Sequence, residues 1–517
     1  MAPIEARYGG GEECNLIGPT REELKKISGL YGFGLGDSEL DVFLQYINQE
    51  IIPSYNELER MVEQKPQVKY PRDLGRAPRE EENEFGAWAW KCSATGSRRG
   101  PLSGKKIALK DNIALAGVPM MIGSAVMEGF IPDVDATVVT RILDAGGEIV
   151  GKAICENLCL SGGSHTSYPW PVHNPHNKDH MTGGSSSGSA VLVATREVDM
   201  ALGGDQGGSI RIPASWCGVF GLKPTWGLVP YTGISSAEAT LDHVGPMASK
   251  MKDVALLLEV IAGWDGLDPR QGMGDVPKNL PKYTDSLSGK IAGIRVGVLK
   301  EGFDWKDSDT DVDKMVRASA EAFREMGATV TDVSLPMHRK AAHILDGVVW
   351  EGVWSVLRDE TAGHGWLGYY DTSALEFFAS ARRSRAIEFP IMAKLIMIAG
   401  HFIADKYHSK YYAKAQNLRY TLRSAYDNAL QKYDMLLMPT VPYKARRFRT
   451  EQSLLEFIIS GWSMTHNTGP SNLTGHPAIN VPCGKSGGLP VGTMLVGKSF
   501  DEGTIMNAAY AYELKYQ

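Results

Sequence analysis

Two glycine-rich segments carry the residue types that could do covalent chemistry. The first runs Gly183-Gly184-Ser185-Ser186-Ser187-Gly188-Ser189-Ala190, the second Gly203-Gly204-Asp205-Gln206-Gly207-Gly208-Ser209-Ile210-Arg211. A serine hydroxyl is a weak nucleophile until a base takes its proton, so the question is which base serves which serine. Gly184 to Gly188 fits G-x-S-x-G, a nucleophile elbow with Ser186 at its tip. That elbow follows a buried strand, whereas Asn177 to Thr182 is polar. Gly183 to Ser189 also has the outline of a phosphate-binding loop, with Ser189 where the lysine belongs. The apolar run Ala190 to Ala194 follows at once, so the loop feeds a buried helix N-terminus, where N–H groups point at a ligand. A third arrangement adds a distant lysine. Lys110 ends the apolar run Ile107-Ala108-Leu109 and precedes Asp111-Asn112. A lysine at a buried strand end is unusual without a task or a partner, and burial disfavours an ammonium ion, which suits a lysine to act as a base. Cys155 and Cys217 are the thiol alternatives; both lie in apolar runs that suggest core packing.

Ala108-Leu109-Lys110-Asp111-Asn112, the Gly183 to Ala190 loop, and Gly207-Gly208-Ser209-Ile210-Arg211-Ile212-Pro213 resemble, in order and spacing, the signature of the amidase signature family. Ser185 lies 75 residues after Lys110 and 24 before Ser209. The likeness continues through Cys217 to Thr225 and Thr240 to Pro246, and returns at Met438-Pro439-Thr440, Leu473 to Ala478 and Gly488 to Gly492. It is dense over residues 100–260, good over 430–505, and weak over 1–95 and 340–430. Gly204 to Gly208 and Leu228 to Gly233 are most similar to broad-specificity amide hydrolases of nitrile-degrading bacteria.

The resemblance implies an α/β amidase signature fold: a central mixed, twisted sheet with helices on both faces, here with a small helical N-terminal extension. It implies a Ser–Ser–Lys triad. Ser209 is the expected nucleophile, Ser185 relays protons through a cis peptide with Gly184, and Lys110 is the terminal base and acid. The backbone N–H groups of Gln206, Gly207, Gly208 and Ser209 are expected to face the oxyanion, each such donor being worth about 3 kcal/mol. Asp205 and Arg211 are expected to pair and hold the loop, and Ser161, Gly162 and Gly163 to border the leaving amide nitrogen. The implied activity is hydrolysis of primary carboxamides with apolar aromatic or branched acyl groups, to carboxylic acid and ammonia, through an acyl-enzyme on Ser209. No cofactor is implied. The alternatives are the glutamine-hydrolysing subunit of a tRNA-dependent amidotransferase and, from another class, a phosphate- or nucleotide-binding module.

These loops need a rigid frame. From Leu102 onward, short β-like runs (Lys106 to Leu109, Glu148 to Gly151, Ile294 to Val298, Thr329 to Val333, Met435 to Met438) alternate with helical runs such as Ala136 to Ala145, the pattern of an α/β domain. Thr20 and Glu23 form a capping box ahead of Leu24, Ile27 and Leu30, and Ser38 precedes Leu40, Phe43, Leu44, Ile47 and Ile51 at helical spacing. Residues 1–63 therefore read as a helical N-terminal extension and 64–100, polar and proline-containing, as a linker or wrapping arm docked by Phe85, Trp88 and Trp90. Residues 101–517 read as the main domain, with a helical, aromatic-rich insertion at about 340–430. Trp350, Trp354, Trp366, Tyr369, Tyr370, Phe377 and Phe378 are the candidates there for an acyl pocket.

Composition bounds the partners. Lys+Arg 54 against Asp+Glu 60 gives a net charge of −6, without the concentrated basic face that nucleic acid requires. Six cysteines make no disulfide framework. The Cys155-x3-Cys159 spacing finds no second pair for zinc, and His173, His176 and His180 fall in a turn-rich loop, so no metal site is expected. Residues 1–10 lack a signal-peptide core, and Phe389 to Ile403 is interrupted by Pro390, Lys394 and Gly400 and too short to span a bilayer. The expectation is a cytoplasmic enzyme acting on a small-molecule amide, with a homodimer left open.

Overall fold

The computed structural model describes residues 16–272, 276–277, 279–360, 366–449 and 451–516. The chain divides into two units, residues 1–65 and 66–517. In the first, helices span Arg21–Tyr31, Asp37–Tyr46 and Ile52–Arg60, the last two joined through a π-helical turn. Thr20 caps the first: its hydroxyl accepts from the Glu23 N–H, and the Glu23 carboxylate accepts from the Thr20 N–H at 2.7 Å. The second begins before Ser38. The Glu39 carboxylate takes the Gly36 N–H at 2.9 Å, so a glutamate in the first turn does the capping that Ser38 would otherwise do.

The strands of the second unit are β1 Arg72–Arg76, β2 Trp88–Thr95, β3 Lys106–Lys110, β4 Glu148–Ala153, β5 His173–Asn174, β6 Asn177–Met181, β7 Met200–Asp205, β8 Phe220–Lys223, β9 His243–Ala248, β10 Arg295–Leu299, β11 Thr329–Val333, β12 Met435–Pro439, β13 Ala478–Ser486 and β14 Leu489–Gly497. Among the described residues, twelve of them form one mixed sheet in the order β1-β2-β4-β3-β7-β9-β8-β13-β14-β12-β10-β11, and β5 pairs with β6 apart from it. The α/β architecture expected from the alternating pattern is present, and the five strand-like runs lie in β3, β4, β10, β11 and β12. The polar segment 64–100 contributes β1 and β2 at one edge of the sheet, where Trp88 is fully buried while most of β1 is exposed.

Pairing at the centre positions the chemistry. β3 runs parallel to both β4 and β7, with Leu109 opposite Lys152 on one side and Leu202 on the other. The chain therefore leaves β3 at Lys110 and β7 at Asp205 on the same side of the sheet, at the carboxyl ends of adjacent parallel strands, where open α/β sheets hold their ligands. The helix Ser187–Ala194 is apolar all round and its residues are buried from Ser187 to Val193, consistent with a helix enclosed by the core. It packs in one cluster with Ala108 and Ala201.

Candidate active site

Lys110, Ser185 and the Ser209 loop come together at those strand ends. Lys110 is fully buried, and its Nζ donates to Ser185 Oγ at 2.7 Å and to the Gly204 carbonyl at 3.4 Å. The Gly184–Ser185 peptide is cis. The Ser186 N–H donates to the Ser209 carbonyl at 3.2 Å, so the two glycine-rich loops are tied to each other. Ser209 sits in the turn between β7 and the helix Arg211–Cys217. Among the described residues, none of the backbone N–H groups of Gln206, Gly207, Gly208 and Ser209 has an acceptor, whereas the next one, of Ile210, donates to Asp205 Oδ2 at 3.1 Å. Four successive free donors beside a serine are the arrangement an oxyanion requires. Gly208 is obligatory: its φ is +142°, and a Cβ there would stand 2.3 Å from Thr468 Oγ1.

The hydroxyls of Ser186 and Ser189 and three of the loop's own donors are occupied. Ser186 Oγ donates to the Gly204 carbonyl at 3.0 Å and accepts from its N–H at 3.1 Å. Ser189 Oγ donates to the Leu202 carbonyl. The N–H groups of Gly183, Gly184 and Gly188 donate to the carbonyls of Gly163, Gly162 and Ile154. A phosphate cradle would need those donors free, and β6, which precedes the loop, lies outside the main sheet, so neither the phosphate-loop nor the elbow geometry is formed. Ser161 and Gly162 border the cavity described below, but the Gly162 and Gly163 carbonyls are engaged in holding the Gly183–Gly184 turn.

Asp205 and Arg211 form a fully buried two-point ion pair, both contacts at 3.0 Å. Arg211 also donates to Ser471 Oγ (2.6 Å), Asn472 Oδ1 (2.7 Å) and the Thr468 carbonyl (3.0 Å), and Asn472 Nδ2 donates to Asp205 Oδ1 at 2.8 Å. Burial alone would raise the Asp205 carboxyl; the Arg211 guanidinium, with Asn472, instead holds it well below the usual carboxylate range. A carboxylate depressed in the fold stabilises it fully above the unfolded value near 3.8, and that stability is lost as pH falls through the folded value. Asp205→Ala is accordingly expected to cost about 3–5 kcal/mol at neutral pH by leaving a buried guanidinium unpaired. Denaturant unfolding at pH 7 and below pH 3 checks this: the deficit should shrink on the acid side.

A cavity of about 370 Å³ opens beside the loop, bordered by Ser209, Gln206, Gly207 and Cys159. Its far wall is apolar. Leu345, Val349, Trp350 and Val353 form one face of the helix Met337–Arg358, and Ile458 and Trp462 come from the helix Leu454–Trp462. The Trp350 and Trp462 rings lie 5.8 Å apart between centroids. Of the seven aromatics named from the sequence, Trp350 reaches this cavity. Trp366, Tyr369 and Tyr370 border a different one with Tyr231 and Arg270, and Trp354, Phe377 and Phe378 pack in an apolar cluster. The charged side chains on the lining are the carboxylates Glu238 and Asp346.

Three features escaped sequence reasoning. Lys152, one strand over, is buried against Asp111 at 3.1 Å. The Gln206 side chain anchors its loop by donating to Tyr231 OH at 2.9 Å. Cys159 lines the cavity together with Ser209. A lysine alternating along β4 and a cysteine in a turn carry no sequence signal of these placements. His173 and His176 pair with the carbonyls of Lys178 and Cys217, and among the described residues no group of three or more metal-ligating side chains gathers. Among the described residues no helix is long and apolar enough to cross a membrane.

A family model described as Amidase matches residues 81–506. The chain is 40% identical over 503 residues to an enantioselective amidase of Rhodococcus rhodochrous, covering 96% of each. It is 36% identical over 416 residues to a glutamyl-tRNA(Gln) amidotransferase subunit of Methanosarcina acetivorans, covering 80% of this chain and 85% of that one. Among solved structures it resembles the native peptide amidase of Stenotrophomonas maltophilia, with a TM-score of 0.67 at 29% identity, covering 81% of this chain and 83% of that one.

Proposed function

Because the chain belongs to the amidase signature family of hydrolases, we propose that it cleaves primary carboxamides carrying apolar, aromatic or branched acyl groups, through an acyl-enzyme on Ser209. The observation that carries this reading is the buried 2.7 Å hydrogen bond from Lys110 to Ser185, set next to the unpaired N–H groups of residues 206–209. Ser209 Oγ attacks the amide carbon and its proton passes to Ser185 Oγ, which yields its own to Lys110 Nζ. The carbonyl oxygen becomes an oxyanion facing the free N–H groups. Collapse breaks the C–N bond while the proton returns along the same relay to the leaving nitrogen, releasing ammonia. Water then enters, loses a proton to the relay and hydrolyses the ester, so the balance is amide plus water to acid plus ammonia.

The acyl preference rests on the cavity wall. Leu345, Val349, Val353 and the Trp350–Trp462 pair offer an apolar slot for a ring or branched chain. Glutamine, the amide expected for an amidotransferase of this family, carries an α-carboxylate that needs a cation. No Lys, Arg or His is found among the described lining residues, and the lining's two carboxyl side chains, Glu238 and Asp346, supply no cation. Ammonia release from a panel of benzamide, isobutyramide, acetamide, glutamine and an anilide tests the reading. Benzamide and isobutyramide should lead. Trp350→Ala should lower kcat/KM for benzamide about tenfold, about 1.4 kcal/mol of lost contact, and leave acetamide little changed. Turnover confined to glutamine, or to N-alkyl amides and esters, would overturn it.

A further inference from the structure

Glu238 borders the cavity and is buried, at 4% exposure, yet the hydrolytic relay does not use it. Its carboxyl accepts three hydrogen bonds. The Thr240 N–H (2.9 Å) and hydroxyl (2.6 Å) donate to Oε2, and the Tyr412 hydroxyl (2.9 Å) donates to Oε1. The direction of the two hydroxyl bonds is set from behind. Gln416 Nε2 donates to Thr240 Oγ1 at 3.0 Å and to Tyr412 OH at 2.9 Å, which leaves each hydroxyl to turn its own hydrogen toward Glu238. The Gln416 amide is oriented in turn by Arg419. Arg419 Nη1 donates to Gln416 Oε1 at 2.8 Å, while its Nε and Nη2 hold the carbonyls of Leu473 and Thr240. Every donor in this chain points one way, and the chain ends on a group that only accepts, which is the ionised carboxylate.

This carboxylate stands without a direct counter-ion. Among the described residues no Lys, Arg or His donates to Glu238, and Oε1, with one bond, keeps an acceptor position. Burial raises the Glu238 carboxyl above its usual range, and the bonds from Thr240 and Tyr412 oppose that rise. The apolar wall lies close by. A Cβ on Gly352 would stand 2.6 Å from Glu238 Cγ, so the helix Met337–Arg358 packs directly on the glutamate between Trp350 and Val353. The other carboxyl side chain on the described lining, Asp346, is exposed.

We propose that Glu238 is a specificity-determining residue that selects acyl groups carrying an ammonium beside their apolar part, as in the amides of apolar amino acids. The ammonium donates to Glu238 Oε1 while the ring or branched chain lies against the Trp350 wall. A charge-assisted bond of this kind is about twice as strong as a neutral one and gains further in a low-dielectric cavity. It also supplies the cation that a buried carboxylate otherwise lacks.

The substrate class rests on the amidase reading; the ammonium site itself does not. Two matched pairs are compared at about pH 6, below the usual range of an α-amino group: phenylalaninamide with phenylpropanamide, and leucinamide with isocaproamide. Within each pair the side chain and the amide are shared and the ammonium differs. Ammonia release should favour the ammonium member at least about tenfold in kcat/KM. Calorimetric titration of Ser209→Ala with the same four amides should show the same order, which separates recognition from inductive activation of the carbonyl. Glu238→Gln should lose most of the preference, and Asp346→Asn should keep it. Equal binding of both members of each pair by Ser209→Ala, a preference that folded Glu238→Gln retains, or a preference lost in Asp346→Asn overturns the proposal. Should Glu238→Gln fail to fold, Asp346→Asn decides, because it leaves Glu238 as the one carboxyl side chain on the described lining. A protein that binds the ammonium members preferentially and hydrolyses no amide instead sinks the amidase reading alone.

Discussion

Ser209→Ala is expected to reduce amide turnover by on the order of 10⁴-fold or more while leaving the protein folded, since loss of a serine nucleophile removes the covalent route altogether. The substitution is structurally mild. Ser209 contributes its carbonyl to the Ser186 N–H, which alanine keeps, and among the described residues its hydroxyl has no hydrogen-bond partner. The contrasting variant is Ser186→Ala. Ser186 Oγ bridges both backbone groups of Gly204, so its removal takes a partner from a buried N–H and from a C=O that keeps the long 3.4 Å bond from Lys110, and should lower stability by about 1–3 kcal/mol. A fluorophosphonate probe should label Ser209 and spare Ser186. A well-folded Ser209→Ala retaining a tenth of the wild-type kcat, or probe on Ser186, would move the nucleophile elsewhere.

What could be read from the sequence follows from how far apart interacting residues lie. The Lys110 strand end and the two glycine-rich loops are local patterns, each built over a few residues, and pairing of β3 with β7 brings them together. The Asp205–Arg211 pair is also local, six residues apart. Its enclosure by Thr468, Ser471 and Asn472 spans about 260 residues of chain, and nothing in either segment names the other. The acyl wall shows a different limit. The sequence shows a helical, aromatic-rich stretch at about 340–430 but not the rotation of its helices against the sheet, so of seven aromatics only Trp350 faces the cavity, joined by the aliphatic Leu345, Val349 and Val353 at helical spacing. β1 reads as loop because an exposed edge strand can be polar, as Arg72-Asp73-Leu74-Gly75-Arg76 is.

Lys110→Ala should lower amide turnover by about 10²–10⁴-fold, the usual weight of a positioned acid–base group, and by clearly less for the ester of the same acid. The difference follows from the leaving groups. An amine leaves poorly without a proton delivered to its nitrogen, whereas an alkoxide departs with less help, so a relay without its terminal group fails first at C–N cleavage. Size and charge need separating, because Lys110 is fully buried and alanine would leave a void. Lys110→Met fills the same volume without a proton to give; it should match alanine in activity but exceed it in stability. Lys152→Met is the control for burying one ammonium fewer. Lys152 pairs with Asp111 at 3.1 Å in the neighbouring strand, so its loss strands a buried carboxylate and should appear in the unfolding curve first. Single-turnover rates with a matched amide and ester, measured for the three variants and the wild type, decide the matter. If Lys110→Met kept wild-type amide rates, or lost ester and amide in equal measure, the proton that reaches the leaving nitrogen would have to come from another group, and Ser185 would be a hydrogen-bonding neighbour of the site instead of its relay.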